Sequence, residues 1–184
     1  VAAAVERHGR VDVLVNNAGI NIRKPPQELA LAEWREILET NLTSAFVVGR
    51  EAGRRMVARG QGKIINIGSL TSELARATVA PYTVAKAGIK LLSKSMAAAR
   101  ARHDIQANSI GPGYILTDMN EALVNNKEFD AWVRASNPAG RWGKPGFRVP
   151  QADAGSIIYG YACGLDMTRR DLQLVARDKG RPWD

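Results

Sequence analysis

The chain has 184 residues, 45% hydrophobic and 24% charged, with 26 Lys and Arg against 18 Asp and Glu for a formal net charge of +8. That length suits one domain with a sizeable core, and no stretch approaches the roughly 18 consecutive apolar residues of a membrane-spanning helix. Cys163 is the only cysteine, which excludes an internal disulfide and fits a reducing, cytoplasmic setting.

Residues 1–8 read as the last turns of a helix stopped by Gly9, with nothing in them that suggests a targeting segment. Residues 11–15 (Val-Asp-Val-Leu-Val) are expected to form a buried strand of a parallel sheet, because branched residues dominate the run. Asn16-Asn17-Ala18-Gly19 follows at once, at a strand's carboxyl end, where ligands bind in open α/β sheets; the composition also suits a plain turn. In the loop beyond, Arg23 and Lys24 can face a negatively charged substrate. Residues 31–58 carry Trp34, Ile37, Leu38, Leu42, Ala45, Phe46 and Val57 at helical spacing, interrupted by the polar Asn41. Arg50, Arg54, Arg55 and Arg59 are scattered over that helix without interleaved aromatic residues, so the positive charge reads as a solvated surface rather than a nucleic-acid site.

The stretch from residue 64 to residue 92 organises the rest. Ile64-Ile65-Asn66-Ile67 predicts a strand, Gly68 lets the backbone come near a ligand, and Ser69 ends the strand, where it either caps the next turn or serves chemistry. Glu73 and Arg76, in the loop beyond, either pair with each other or line a substrate site. Pro81 opens a helix on which Tyr82 and Lys86, four residues apart, share one face. A fixed ammonium beside a phenol favours the phenolate and draws its pKa from about 10 toward neutrality, where an acid–base group is most useful. Tyr82 with Lys86 alone is a weak signal, common on surface helices. A serine, a tyrosine and a lysine at a strand end suit proton transfer to and from an alcohol or carbonyl oxygen. Residues 105–110 predict another strand, ended by Gly111-Pro112-Gly113. Residues 118–136 have a helical rhythm (Met119, Leu123, Phe129, Val133) that suits a lid or a plain surface helix. His8 and His103 stand apart from any acid or cysteine at ligand spacing, so no metal is expected.

Taken together, Asn16-Asn17-Ala18-Gly19, Asn41, Ser69 thirteen residues before Tyr82, Lys86 and Pro112-Gly113 resemble the short-chain dehydrogenase/reductase family in order and spacing, over residues 11–145. Within it, residues 69–76 and 137–145 (Asn-Pro-Ala-Gly-Arg-Trp-Gly-Lys-Pro) are similar to gluconate 5-dehydrogenases. The resemblance implies an α/β fold with a Rossmann-like, doubly wound parallel sheet. It implies Asn41, Ser69, Tyr82 and Lys86 as catalytic residues: Asn41 bends its helix and holds a water near the lysine, and Lys86 also contacts the nicotinamide ribose. Asn16, Ala18, Gly19, Tyr82, Lys86, Pro112, Gly113, Ile115 and Thr117 would meet a cofactor, NAD or NADP. Arg23 and Arg76 would meet a sugar-acid substrate of the gluconate or 5-ketogluconate type. The resemblance also implies a homodimer or homotetramer joined by the helices that carry Asn41 and Tyr82.

Two departures qualify these expectations. The family's first three strands and glycine-rich turn have no counterpart in residues 1–145, so the sheet is expected to be a truncated one, and the residue that separates NAD from NADP is missing with them. After Pro145 the family pattern lapses, and residues 146–184 read as an atypical, frame-disturbed tail of the same domain, with residues 155–159 briefly resembling a last strand. The alternatives are therefore a catalytically incompetent fragment, whose first strand would be an exposed apolar edge, or another member such as a 3-oxoacyl carrier protein reductase. A milder departure is Arg100, which is expected to snorkel or face solvent.

Overall fold

Three short runs of branched residues pair side by side to form the sheet on which everything else rests. The computed structural model describes residues 1–145. The strands are β1 (Val13–Asn16), β2 (Gly62–Ile67) and β3 (Ile105–Ile110), all parallel, in the order β1-β2-β3. The register sets Asn16 beside Asn66 and Ile67 beside Ile110, so the strands end at one level. Parallel strands need long crossovers, usually helical, and those crossovers carry the helices of the layer packed on the sheet. Among the described residues the order is α1 (Ala2–His8), β1, α2 (Leu31–Leu38), α3 (Ser44–Arg59), β2, α4 (Ala80–Arg100), β3, α5 (Glu121–Val124) and α6 (Lys127–Ser136). This is the α/β, Rossmann-like architecture expected, with a sheet of three parallel strands in the described part.

Helices α3 and α4 cover one face of the sheet. Ala52 and Met56 from α3, Met96 from α4, and Ile64, Ile105 and Ala107 from the strands close a single core cluster. At roughly 25 cal/mol per Å² of apolar surface removed from water, such burial is the main force holding the layers together. The opposite face is open among the described residues: Val13 and Val15 are 52% and 53% exposed, and Ile110 is exposed too. The expected burial of residues 11–15 is thus corrected. Among the described residues β1 is an edge strand, and only its Leu14 and Asn16 point toward the helices.

The segment read as one helix over residues 31–58 is two, joined by a turn of π-helix over Glu39–Thr43. A wide turn of this kind inserts a residue into the ladder and is common at functional sites. At its start, the Glu33 carboxylate accepts the Ala30 N–H at 2.9 Å, half of a capping box. Gly9 ends α1 at φ 79°, as the sequence suggests.

Several surface expectations resolve into specific partners. Arg54 and Arg55 both pair with Glu51, and Arg59 reaches Asp12 and the carbonyls of Val11 and Gln61. Glu73 pairs with Lys90 on α4 rather than with Arg76. Arg100 does not face solvent: it is half-buried against α3, where a Cβ on Gly53 would stand 2.7 Å from its Nε. Its Nη1 is buried without a hydrogen-bond partner among the described residues. The expected tail over residues 146–184, with its strand at 155–159, lies outside the described residues.

Candidate active site

The carboxyl ends of β1 and β2, the π-turn and the first turns of α4 meet at one place, and most of the polar residues singled out in the sequence converge there. Lys86 is carried by α4, is 4% exposed, and donates from Nζ to the Ile67 carbonyl at the end of β2 at 2.7 Å. A Cβ on Gly19 would stand 3.0 Å from Asn41 Oδ1 and 3.6 Å from Lys86 Nζ. The β1 loop thus passes tightly against Asn41 and in ordinary contact with Lys86, and Gly19, Asn41 and Lys86 form one group. The Lys86 ammonium lies 5.7 Å from the centre of the Tyr82 ring.

The electrostatics of Tyr82 differ from the sequence expectation. Burial raises its pKa above the usual phenol value, while hydrogen bonding by the Ser69 hydroxyl and the charge of Arg23 pull it back. Lys86 is not among the groups that lower it. Its own pKa is lowered by burial, because a charge in a low-dielectric setting is disfavoured. The spacing puts both side chains on one face of α4, but the ammonium is turned toward Ile67 and desolvation of the phenol prevails. Tyr82 therefore keeps its proton at neutral pH in this chain.

These shifts have opposite consequences for stability. The folded Tyr82 holds its proton more tightly than an unfolded tyrosine of pKa about 10, so its contribution is undiminished below pH 10 and falls as pH rises from there through the folded pKa. Lys86 releases its proton more easily folded than unfolded, so stability rises with pH between its folded pKa and about 10.5. Urea midpoints measured from pH 8 to pH 11 should show Tyr82→Phe losing the alkaline fall and Lys86→Met losing the rise. Parallel curves for all three proteins would contradict both assignments.

Ser69 faces both the next turn and the phenol. It caps the turn Leu70–Ser72, accepting the Thr71 N–H on Oγ at 3.2 Å, and its hydroxyl also acts on Tyr82. With the cap occupying an acceptor site of Oγ, its proton remains available to donate. Asn41, 2% exposed, is not on a solvent face. Its Oδ1 accepts the Ile20 N–H at 2.7 Å and its Nδ2 donates to the Ile20 carbonyl at 2.8 Å. The side chain thereby clamps the β1 loop, with one amide proton and one acceptor position left over.

Arg23 and Arg76 approach the site from two loops. Arg23 donates to the Met119 carbonyl at 3.0 Å and to Asn120 Oδ1 at 3.2 Å. Burial and then the neighbouring Arg76 guanidinium lower its pKa, while Tyr82 and Tyr114 oppose the shift. Arg76 lies 4.6 Å over the ring of Phe129 on α6, within an aromatic group that also holds Tyr114, Trp132 and Trp142. Two guanidinium groups held close to each other beside a phenol attract an anion.

The remaining expected cofactor residues are spread around this centre. Asn16 is tied into the sheet: its Nδ2 donates to Asn66 Oδ1 at 2.8 Å, and Asn66 Nδ2 donates to Ser93 Oγ at 2.8 Å. Ala18 is exposed at the end of β1. The Pro112 carbonyl accepts the Leu70 N–H at 3.3 Å. Gly113 is exposed, as is Thr117, which precedes the turn Asp118–Asn120. The Ile115 carbonyl accepts from Asn120 Nδ2 at 3.0 Å. The Gly68 N–H donates to the Ile110 carbonyl at 2.7 Å. The sequence reading missed Asn66, Ser93 and Ser72 as contributors; a polar residue at an inward strand position was the available signal for Asn66. Among the described residues no group of three or more His, Cys, Asp or Glu could hold a metal, and no helix is long and apolar enough to cross a membrane.

A family model described as short chain dehydrogenase matches residues 1–128. The gluconate 5-dehydrogenase of Gluconobacter oxydans (strain 621H) is 47% identical over 143 residues, covering 77% of this chain and 56% of that protein. A solved structure of a candidate gluconate dehydrogenase from Agrobacterium tumefaciens is 63% identical with a TM-score of 0.76, covering 84% of this chain and 60% of that one. A gluconate 5-dehydrogenase from Burkholderia cenocepacia J2315, solved with NADP and tartrate, is 45% identical with a TM-score of 0.75, covering 78% and 56%. The chain thus spans a little over half the length of the curated relative it matches.

Proposed function

The chain belongs to the short chain dehydrogenase family, and from that premise we propose an oxidoreductase site that interconverts a keto sugar acid and its alcohol with NAD or NADP. The observation that carries this reading is the convergence of Tyr82, Ser69, Arg23 and Arg76 at the carboxyl ends of the strands. The similar proteins described above, gluconate 5-dehydrogenases, suggest the substrate class.

The residues suit a dinucleotide. Gly19 passes close to Asn41 and Lys86, so its backbone is open to a ligand, and the Lys86 ammonium has donors beyond the one given to Ile67. Lys86 with Asn16, Ala18, Gly19 and Tyr82 would hold the ribose end, and Pro112, Gly113, Ile115 and Thr117 the carboxamide end. When bound, a nicotinamide supplies or accepts the hydride. The chain's own residues handle the proton. In the reducing direction the protonated Tyr82 donates to the ketone oxygen, and Ser69 donates a hydrogen bond to the same oxygen as negative charge builds there, which is preorganised stabilisation. The phenolate left behind faces Arg23, whose charge already bears on it. In the oxidising direction Tyr82 takes the alcohol proton back. Asn41 holds the β1 loop against the π-turn, and with it the wall on which Lys86 sits.

Arg23 and Arg76 would receive the substrate carboxylate. A hydrogen bond to a charged group is worth about 1.5–3 kcal/mol, so Arg23→Ala and Arg76→Ala should each raise KM for 5-ketogluconate by roughly 10- to 100-fold. KM for an uncharged ketose should change little. Equal effects on both substrates would overturn the carboxylate role, and NADPH oxidation that depends on neither keto acid nor ketose would overturn the function.

A homodimer or homotetramer is part of this proposal. Phe46, Val47 and Val48 on α3 and Val84 and Leu91 on α4 expose apolar side chains on the two helices expected to join subunits. A cytoplasmic setting fits the single cysteine.

A further inference from the structure

Between β2 and α4 lies a hydroxyl whose contacts have so far been given no role. Ser72 Oγ accepts the backbone N–H of Ser69 at 3.2 Å and donates to the backbone carbonyl of Lys86 at 2.8 Å. One oxygen thus joins the peptide that carries Ser69 to the helix that carries both Tyr82 and Lys86. We propose that Ser72 is a positioning residue that keeps the Ser69 hydroxyl in reach of the Tyr82 oxygen. The inference rests on the reading of Tyr82 as the proton-handling group.

The surrounding chain is arranged around this bridge. Ser69 is in extended backbone conformation (φ −163°, ψ 166°), which by itself leaves its side chain free to choose among rotamers. Two contacts act together here: the Thr71 N–H, donating to Ser69 Oγ at 3.2 Å, holds the rotamer, and Ser72 Oγ, accepting the Ser69 N–H, holds the backbone that carries it. The turn is closed by the Ser72 N–H donating to the Ser69 carbonyl at 3.0 Å. Gly68 makes space for it, since a Cβ there would stand 3.1 Å from Ser72 Oγ and 3.2 Å from the Ile110 carbonyl. The other tie between this loop and α4, the Glu73–Lys90 ion pair, has a largely exposed carboxylate, and pairs of that kind hold geometry weakly. The half-buried Ser72 bridge is the tie able to fix distances to within the fraction of an ångström that proton transfer needs. In its absence the Ser69 hydroxyl loses its alignment with Tyr82, and with it the hydrogen bond that offsets part of the phenol's burial.

The test is a double-mutant cycle on the 184-residue chain, read in two ways. The first readout is the titration of Tyr82 by ultraviolet difference between each protein and its Tyr82→Phe counterpart, which needs no turnover. The second is kcat and KM for 5-ketogluconate with NADPH. Ser72→Ala is expected to move the Tyr82 titration to higher pH, as Ser69→Ala does, and to lower kcat by roughly 10- to 100-fold with KM nearly unchanged. In a Ser69→Ala background, Ser72→Ala should add no further shift, and Ser72→Thr in the native background should restore both quantities in large part. If Ser72→Ala unfolds, Ser72→Cys, close in shape and a much weaker hydrogen-bonding group, takes its place in the same cycle. A Tyr82 titration unmoved by loss of the Ser72 hydroxyl, or moved equally with and without Ser69, overturns the proposal. Absence of turnover in the unsubstituted chain would instead overturn the proposed function, and the titration would still decide the role of Ser72.

Discussion

Tyr82→Phe should lower the rate of keto-acid reduction by about 10²–10⁴-fold, the range that one positioned acid–base group contributes. The substitution removes one oxygen and leaves the ring. The packing around the half-buried phenol and the Lys86 contact with Ile67 are therefore retained, and NADPH affinity read by fluorescence should stay close to the unsubstituted value. Among the described residues no other group near the Ser69 hydroxyl is placed to take over. Lys86 is turned to the Ile67 carbonyl, Arg23 has no proton to give in the accessible pH range, and Asn41 is engaged with Ile20. A Tyr82→Phe protein that reduces the keto acid within a few-fold of the unsubstituted rate would remove the tyrosine from the chemistry.

The largest effect on stability is expected at Asn66. This residue is fully buried in the middle strand, and its amide is used on both sides: Oδ1 accepts from Asn16 on β1, and Nδ2 donates to Ser93 on α4. Ser93 in turn donates to the Ile89 carbonyl at 2.8 Å. The chain of hydrogen bonds runs from the edge strand through the centre of the sheet into the helix that carries Tyr82 and Lys86. Asn66→Ala breaks it at its middle, leaving the Asn16 amide and the Ser93 hydroxyl short of a partner and opening a small void. Unsatisfied buried polar groups cost about 1–3 kcal/mol each, so a loss of roughly 3 kcal/mol in urea denaturation is expected. Ser93→Ala removes one end only and should cost about 1 kcal/mol. Equal losses for the two would mean that the network does not act as a unit.

How much of this was legible in the sequence depends on the range of the interaction concerned. The strands β2 and β3 and helix α4 follow from local runs and from spacing, and the structure has them where the sequence predicts. The exposure of Val13 and Val15 does not follow from the branched run itself, which looks the same at the edge of a sheet as at its centre; it follows only from reading the chain as a fragment without the family's first strands. The direction of the Tyr82 shift fails for a related reason. A four-residue spacing states that two side chains share a helix face; it does not state where a flexible four-carbon stem ends. Lys86 ends on Ile67, and burial of the phenol outweighs a charge pointed elsewhere. Arg23, read only as a residue facing a substrate, proves to be the charge that bears on the phenol, an effect that crosses from one loop to another. Asn41 was legible as a polar interruption in an apolar helix, but its use in clamping Ile20 depends on the loop beyond β1. Asn66 and Ser72 escaped notice because their partners are supplied by other elements.

The most direct measurement is the pH dependence of 5-ketogluconate reduction by the purified chain with NADPH. If a buried, protonated Tyr82 is the proton donor, the rate holds steady through neutral pH and falls in a single step at or above about pH 10, and that step is absent from whatever residual activity Tyr82→Phe retains. A rate that climbs into alkaline solution, a profile identical in the two proteins, or no reduction at any pH would contradict the account.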